Sequence, residues 1–381
     1  MTPEETQRYS RHFSLPHLGV AGQKRLKRSK ILCIGAGGLG SPALHYLCAA
    51  GVGTLGIIDH DRVELSNLQR QILYNVKDIG QLKTLAAKSR LLKQNPNIDI
   101  IAHPEKLTEK NALSIIQDYD IVLDGTDNFN ARYLINDACC VLGKPNIYAG
   151  VFQFSGECSV FMPNNGPCYR CLYDTPPSIS PNCSEAGVLG VVPGIMGTIQ
   201  ATEALKLALG QCSSLVGKVL RFNALNLTFE TFTLSANPDC PLCSNGQSFY
   251  DLSHHHSQEL CTMTSLNNDA STSTIEYITP QALKTLMEQN SDFILLDVRE
   301  PEEYEECNLA GLLIPLRELN LRHHELDKEK SIIVHCRMDG RSLQAAEFLC
   351  QIGFPTVKYL KGGIVAWAQE IGDMPNISIP L

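Results

Sequence analysis

Between Lys30 and Asp61 the chain reads KILCIGAGGLG, then an apolar stretch opened by Ser41 and Pro42 and carried to Gly53, then TLGIIDHD. Few folds accommodate that order. Ile31 to Ile34 is a short apolar run ending in glycine, the pattern of a buried parallel strand. Gly35, Gly37, Gly38 and Gly40 follow, and an apolar helix begins at once. A second apolar strand, Leu55 to Ile58, ends at Asp59. The unit is strand, glycine turn, helix, strand, so backbone N–H groups and a helix N-terminus can face a phosphate. Asp59 stands where a carboxylate can accept hydrogen bonds from a ribose. The glycine pattern alone fits a dinucleotide as well as ATP.

A chain of 381 residues has room for two domains with substantial cores. Its net charge of −8 argues against nucleic acid as the main partner. The basic run Lys24, Arg25, Lys27, Arg28 and Lys30 is local and reads as one solvated helix face. There is no 18-residue apolar stretch and no signal-peptide core at Met1, so no membrane association is expected and the cytosol is the expected compartment. In that compartment fifteen cysteines suggest metal or thiol chemistry rather than structural disulfides.

Residues 1–29 read as a helical arm. Beyond the opening unit, strand patterns near 98–102 and 121–123 alternate with helices, which indicates a doubly wound sheet. Later strands, near 147–151, 158–161, 219–222 and 229–234, lack intervening helices apart from one long helix near 194–209, so that half is expected to be antiparallel. A smaller α/β unit restarts at Ile275. The expected architecture is a Rossmann-like doubly wound domain over 1–245, parallel in its N-terminal half, a flexible linker over 246–274, and a small α/β domain over 275–381. His254, His255 and His256 fall in the linker and read as part of a polar tether rather than a metal site. The run Glu302, Glu303, Glu305, Glu306 reads as an exposed acidic helix face.

Three features move the first domain from a dinucleotide toward ATP. Reaction at an ATP α-phosphate concentrates charge and calls for fixed cations. Arg70 and Lys83 lie where a loop and a helix start can return to the glycine turn. Asp127, at a strand's C-terminal end, can hold Mg²⁺, which takes oxygen ligands. Two CxxC pairs, Cys168/Cys171 and Cys240/Cys243, can each place two thiolates on one edge of a tetrahedral Zn²⁺. Their long separation requires the folded domain to bring them together. Cys183 lies in a Pro/Ser-rich crossover, an unusual place for a buried structural thiol.

GAGGLGS, IIDHD, VELSNLQRQ, GQLK and DGTDN, spread over residues 5–245, resemble the ubiquitin-activating-enzyme-like family, most of all its bacterial adenylyltransferases that activate sulfur-carrier proteins for molybdopterin or thiamine synthesis. The resemblance implies that Gly38, Asp59, Asn67, Arg70 and Lys83 contact ATP, that Asp127 binds the metal, and that the four cysteines hold a structural zinc. It also implies a homodimer in which Arg11, from the segment RYSRH, reaches the partner protomer's site. Cys183, in NCSEAGV, occupies the position of the family's catalytic cysteine, which forms a thioester or a disulfide with the carrier's C-terminus.

The last domain resembles rhodanese sulfurtransferases through LLDVREPEEY, the loop CRMDGRS from Cys336 to Ser342, and LKGGIVAW. A strand ending in cysteine, then a six-residue loop into a helix, offers N–H donors to a thiolate or a persulfide anion. Cys336 is therefore the expected sulfur carrier, with Arg341 offering its charge to an anion. Asp339 departs from the pattern by adding a negative charge, and Asn308 stands where the family usually has His. The combined expectation is ATP-dependent adenylation of a ubiquitin-like sulfur carrier ending in Gly-Gly, then sulfur transfer from a Cys336 persulfide to give a thiocarboxylate, with thiosulfate or a persulfidated desulfurase as donor. The alternatives are conjugation of a modifier through a Cys183 thioester, or a carrier-binding scaffold without catalysis.

Overall fold

The computed structural model describes residues 1–163, 165–174, 187–240, 242–243, 275–289, 291–372 and 376–377. Cys183, the histidine run and residues 246–274 lie outside the described residues. Those described form two compact units, one ending at Cys243 and one beginning at Ile275.

The first unit starts with three short helices, α1 (Pro3–Arg8), α2 (Ser10–Phe13) and α3 (Gly19–Arg28). Strands and helices then alternate: β1 (Lys30–Ile34), α4 (Gly40–Ala50), β2 (Thr54–Ile58), α5 (Lys83–Gln94), β3 (Asp99–His103), α6 (Ala112–Ile116), β4 (Ile121–Asp124) and α7 (Phe129–Leu142). There follow β5 (Asn146–Phe152), β6 (Ser155–Phe161), α8 (Tyr169–Leu172), α9 (Val191–Ala208), β7 (Lys218–Asn223) and β8 (Thr228–Thr233). All eight strands form one sheet in the order β3-β2-β1-β4-β5-β6-β7-β8. The pairs from β3 to β5 are parallel and those from β5 to β8 antiparallel. Both halves are as the sequence predicts. Parallel neighbours need a crossover, which the helices supply, whereas β5 and β6 are joined by a tight turn at Gln153 and Phe154.

The alternation has a packing cause. Ile31, Leu32 and Cys33 in β1 are each 1% exposed or less, because helices cover both faces of the sheet. Ile31 and Cys33 share a core with Leu44 and Leu47 of α4 and Met196 of α9, while Leu32 and Ile34 pack with Ile116 and Ile135 on the other face. The N-terminal arm is tied to this body. Arg8 donates to the Gln94 carbonyl at 3.0 Å, Asn95 donates to the Tyr9 hydroxyl at 2.9 Å, and Lys27 pairs with Glu5. The basic face on α3 is exposed as expected, but Arg25 also caps the end of α9 by donating to the Leu209 carbonyl at 2.7 Å.

The second unit contains β9 (Glu276–Ile278), α10 (Pro280–Glu288), β10 (Phe293–Asp297), α11 (Pro301–Glu306), β11 (Leu312–Leu313), β12 (Ser331–His335), α12 (Gly340–Gln351), β13 (Val357–Leu360) and α13 (Gly363–Glu370). Its sheet is parallel, in the order β11-β10-β12-β13-β9. Leu296, Val334, Ala345 and Leu349 fill the space between sheet and helices without exposure. Among the described residues no helix is long and apolar enough to cross a membrane.

At the glycine turn two positions admit no side chain. Gly35 has φ +91°, and a Cβ there would lie 2.7 Å from the Gly125 carbonyl oxygen. A Cβ on Gly40 would meet the Gly35 carbonyl oxygen at 2.1 Å. Both obstacles are backbone and cannot rotate away. Gly40→Ala is therefore expected to destabilise the first unit by about 1–3 kcal/mol, the usual cost of overpacking. It should also weaken ATP binding, and urea unfolding with nucleotide titration reads both effects.

Candidate functional site

A cleft of about 630 Å³ opens where β1, β2 and β4 end. Gly38, Asp59, Arg70, Lys83 and Asp127 all line it. Residues far apart in sequence meet here because parallel strands end on one edge of the sheet and each loop departs from that edge.

The floor is the glycine turn, braced from two sides. Tyr74 donates its hydroxyl to the Ala36 carbonyl at 2.8 Å, and the Ala36 N–H donates to Asp59 Oδ2 at 2.9 Å. Asp59 also accepts from the Asp61 N–H at 2.8 Å. Burial pushes the Asp59 carboxyl above its ordinary range, with Lys83 and the two N–H donors opposing. Lys83 is the first residue of α5 and 6% exposed, with Nζ 2.8 Å from Asp61 Oδ2. A nearly buried ammonium is thus fixed by one carboxylate at the cleft wall. Arg70 is held less tightly, donating Nη1 to the Ser66 carbonyl at 3.1 Å. Asp127 is exposed in the loop after β4. The neighbouring Asn128 caps α7 by accepting from the Ala131 N–H at 2.9 Å.

Asn67 and Arg11 are not among the residues lining the cleft, as expected for Arg11, whose expected place is the partner protomer's site. Asn67 is 8% exposed and outside the cleft lining, because its amide shapes the turn that carries Arg70. Its Oδ1 accepts from the Glu64 N–H at 3.1 Å, and its carbonyl accepts from the Arg70 and Gln71 N–H groups. Arg11, on α2, is exposed and does not line the cleft of its own chain. The sequence reading missed Asp61, Gln71, Arg132 and the Glu105–Glu109 wall. The DHD spacing after β2 was an available signal for Asp61. Nothing local marks the rest, which reach the cleft through the crossover geometry.

The two CxxC pairs meet. The four sulfurs of Cys168, Cys171, Cys240 and Cys243 lie within 4.8 Å of one another. Cys168 is 3.6 Å from Cys240 and Cys171 is 3.3 Å from Cys243. Thiolates around a tetrahedral ion with bonds near 2.3 Å stand about 3.8 Å apart, so this donor set fits a structural metal. Cys168 and Cys240 are 2% and 1% exposed, which closes the site to a substrate.

In the second unit Cys336 directly follows β12 and is 2% exposed. The Ser342 N–H donates to its sulfur at 3.3 Å. The loop is pinned from behind, since the Cys336 and Arg337 carbonyls accept from the Ile364 and Val365 N–H groups at 2.9 and 3.2 Å. Three expectations change in detail. The Asp339 carboxylate is engaged by the Gly362 N–H at 2.6 Å. Glu303 is not a free member of an acidic face, for its carboxylate binds both terminal nitrogens of Arg341, at 2.6 and 2.8 Å. Arg341 therefore does not simply offer its charge to an anion. Asn308 acts locally, accepting from the Ala310 N–H at 2.9 Å where Ala310 has φ +58°. Beneath the loop, Asp297 and Arg299 form a buried pair at 2.6 Å. His335 is wholly buried, and its pKa is pulled down to about 4 by that burial, so it is neutral.

Residues 9–242 match the ThiF family and residues 279–370 the rhodanese-like domain. The chain belongs to the ThiF family. A probable molybdopterin-synthase adenylyltransferase of Porphyra purpurea is 41% identical over 97% of this chain and 94% of that protein. A probable adenylyltransferase/sulfurtransferase of Mycobacterium tuberculosis is 37% identical over 97% and 95%. A sulfur carrier protein adenylyltransferase of Thermus thermophilus is 47% identical over 64% of this chain and 93% of that one. This ThiF-family chain with its rhodanese-like domain is an enzyme of the adenylyltransferase and sulfurtransferase class.

Two outcomes follow from this geometry. Arg70→Ala should slow adenylation about 10²-fold or more, as for loss of one preorganised donor, with a smaller effect on ATP binding. An exchange rate equal to wild type would remove Arg70 from the site. Cys171→Ser should lower metal content and melting temperature together, because the binding energy of a structural metal is part of the folding energy. Full metal occupancy in that variant would show that the cluster is not the site.

Proposed function

We propose that this enzyme adenylates the C-terminal carboxylate of a ubiquitin-like sulfur carrier and converts it to a thiocarboxylate with sulfur held on Cys336. The observation that carries the reading is that one chain contains both a cleft lined by Arg70, Lys83 and Asp127 beside a glycine turn and a cysteine loop of rhodanese type. Neither feature alone requires the other; together they match activation of an acyl group and delivery of a sulfur atom to it.

In the first step the carrier carboxylate attacks the α-phosphorus of ATP and pyrophosphate leaves. N–H groups of the glycine turn and α4 cradle phosphate oxygens. Arg70 and Lys83 neutralise charge that grows as the pyrophosphate bond breaks, and Asp59 orients the ribose. Asp127 would hold Mg²⁺, which supplies charge neutralisation at the phosphates. Lys83 leaves Asp61 to meet the phosphates, so Asp61 keeps that charge in place before ATP arrives. Cys168, Cys171, Cys240 and Cys243 would hold Zn²⁺ as a structural clip joining α8 to the segment around Cys240.

In the second step a Cys336 persulfide attacks the acyl adenylate and AMP leaves, giving an acyl disulfide. A thiolate then attacks the Cys336 sulfur, the bond to the acyl sulfur breaks, the thiocarboxylate leaves, and a disulfide to Cys336 remains that a thiol reductant reopens; Cys183 is the candidate for that thiolate. Joining both activities in one chain raises the effective concentration of each intermediate. A homodimer with Arg11 serving the partner protomer remains part of the reading. Large apolar side chains exposed close to the cleft residues in sequence support it, among them Leu65, Ile72 and Val76 at 58–70% exposure.

Carrier-dependent exchange of pyrophosphate into ATP tests the first step, and the mass of the carrier tests the second. The expected product is 16 Da heavier, for sulfur in place of oxygen. Cys336→Ala should abolish it and spare the exchange. A carrier thioester on Cys183 formed without Cys336 would overturn the reading in favour of conjugation.

A further inference from the structure

The sulfur-accepting loop carries its charges in an order that bears on what it accepts. Thiosulfate is a dianion whose sulfonate must be held while sulfite departs. A loop suited to it keeps a cation available. Here the guanidinium of Arg341, which ends the loop, is bound at both terminal nitrogens by Glu303. The Glu303 carboxylate is itself held, since Oε2 also accepts from the Glu300 N–H at 3.1 Å as part of the cap of α11. Both side chains are about one quarter exposed, which shelters the pair from solvent screening. Burial works against the Glu303 charge, but the Arg341 and Glu300 donors outweigh it and keep the carboxyl below its ordinary range. The remaining loop charges are Arg337 and Asp339, both exposed, with Asp339 fixed on the Gly362 N–H. Counting Glu303, two cations and two anions balance, so formal side-chain charge gives a dianion no net attraction.

We propose that Glu303 sets the donor specificity of Cys336: by holding Arg341 in a bidentate pair it disfavours thiosulfate and selects the sulfane sulfur of a thiol persulfide. The inference rests on the reading of Cys336 as the sulfur acceptor. With a persulfide R–S–SH, the Cys336 thiolate attacks the terminal sulfur, the S–S bond breaks, and R–S⁻ leaves. Cys336 becomes Cys336–S–SH, which passes its proton to the departing thiolate. No electron is gained or lost overall, and no sulfonate needs a seat. With thiosulfate the same attack expels sulfite, and two negative charges depart past Glu303 and Asp339. Glu303 is a positioning residue, acting through Arg341 and not through contact with the reacting sulfur.

The test uses the full chain and three donors: thiosulfate, glutathione persulfide, and a persulfidated protein thiol. Cyanide serves as acceptor, taking the terminal sulfur as thiocyanate. Wild type should prefer the persulfides, and the faster of the two identifies whether a small thiol or a protein delivers the sulfur. Glu303→Gln keeps the shape and removes the charge. It should raise kcat/KM for thiosulfate about tenfold, the size of effect expected from one charge facing a dianion at close range, mostly through a lower KM. Both persulfide rates should stay within about twofold, since no sulfonate is bonded to the sulfur being transferred and any carboxylate of the donor lies several bonds away. Glu303→Asp should retain the wild-type preference, and Arg341→Gln added to Glu303→Gln should cancel the gain. If Glu303→Gln alters the melting curve, Glu303→Ser reads the same ratio. A folded charge-removed variant with an unchanged donor ratio overturns the inference, as does a wild type that prefers thiosulfate. Absence of a 32 Da gain on Cys336 from any donor overturns the sulfur-acceptor reading itself, and the inference with it.

Discussion

The first unit depends on a contact between two backbones. Gly35, at the end of β1, and Gly125, just after β4, approach until a Cβ on either would stand within 3 Å of the other's carbonyl. This contact lets the turn after β1 fold flat against the neighbouring strand end before α4 begins. Gly37 and Gly38 of that turn then line the cleft, together with Arg70 and Asp127 from other loops. Tyr74 and Asp59 fix the turn from outside.

Sulfur appears in three environments, and burial separates them. Cys33, Cys48, Cys139 and Cys158 are 1% exposed or less and sit in the sheet cores, where burial pushes their thiols up and keeps them inert. Their number reflects packing, so the cysteine count overstated the share of chemistry. Cys168, Cys171, Cys240 and Cys243 converge on one point, as a closed metal site requires. Cys336 is equally buried but borders a loop whose Ser342 N–H points at its sulfur. That donor comes from the first turn of α12.

The cationic side chains show a shared design. Lys83 is paired with Asp61 and Arg341 with Glu303, so neither charge waits unpaired in a partly buried site. A partner lowers the cost of burying the cation and sets how readily it turns to an incoming anion. At Lys83 the partner is 52% exposed and gives up its hold at modest cost. At Arg341 the fork is bidentate and its carboxylate is also capped, so release is harder.

The sequence alone determined the sheet and the strand ends. Glycines at 35, 37, 38 and 40 can follow an apolar run in few ways, and the presence or absence of helices between later strands decided which half is parallel. It also marked Arg70, Lys83, Asp127 and Cys336, because each lies beside a strand end or helix start whose position follows from local pattern. Tertiary structure decided what those side chains touch. Asn67 was marked as an ATP contact from its motif, and the fold adds that its side chain also shapes the local turn through bonds within three residues in sequence. Glu303 looked like one of four solvated acids, and its partner Arg341 is 38 residues away, at a distance no periodicity encodes. The CxxC pairs were legible as ligands, but their meeting across 72 residues is a product of the folded sheet. Local pattern fixes where the backbone goes; pairing between distant charges and thiols depends on which loops the sheet brings to the same edge.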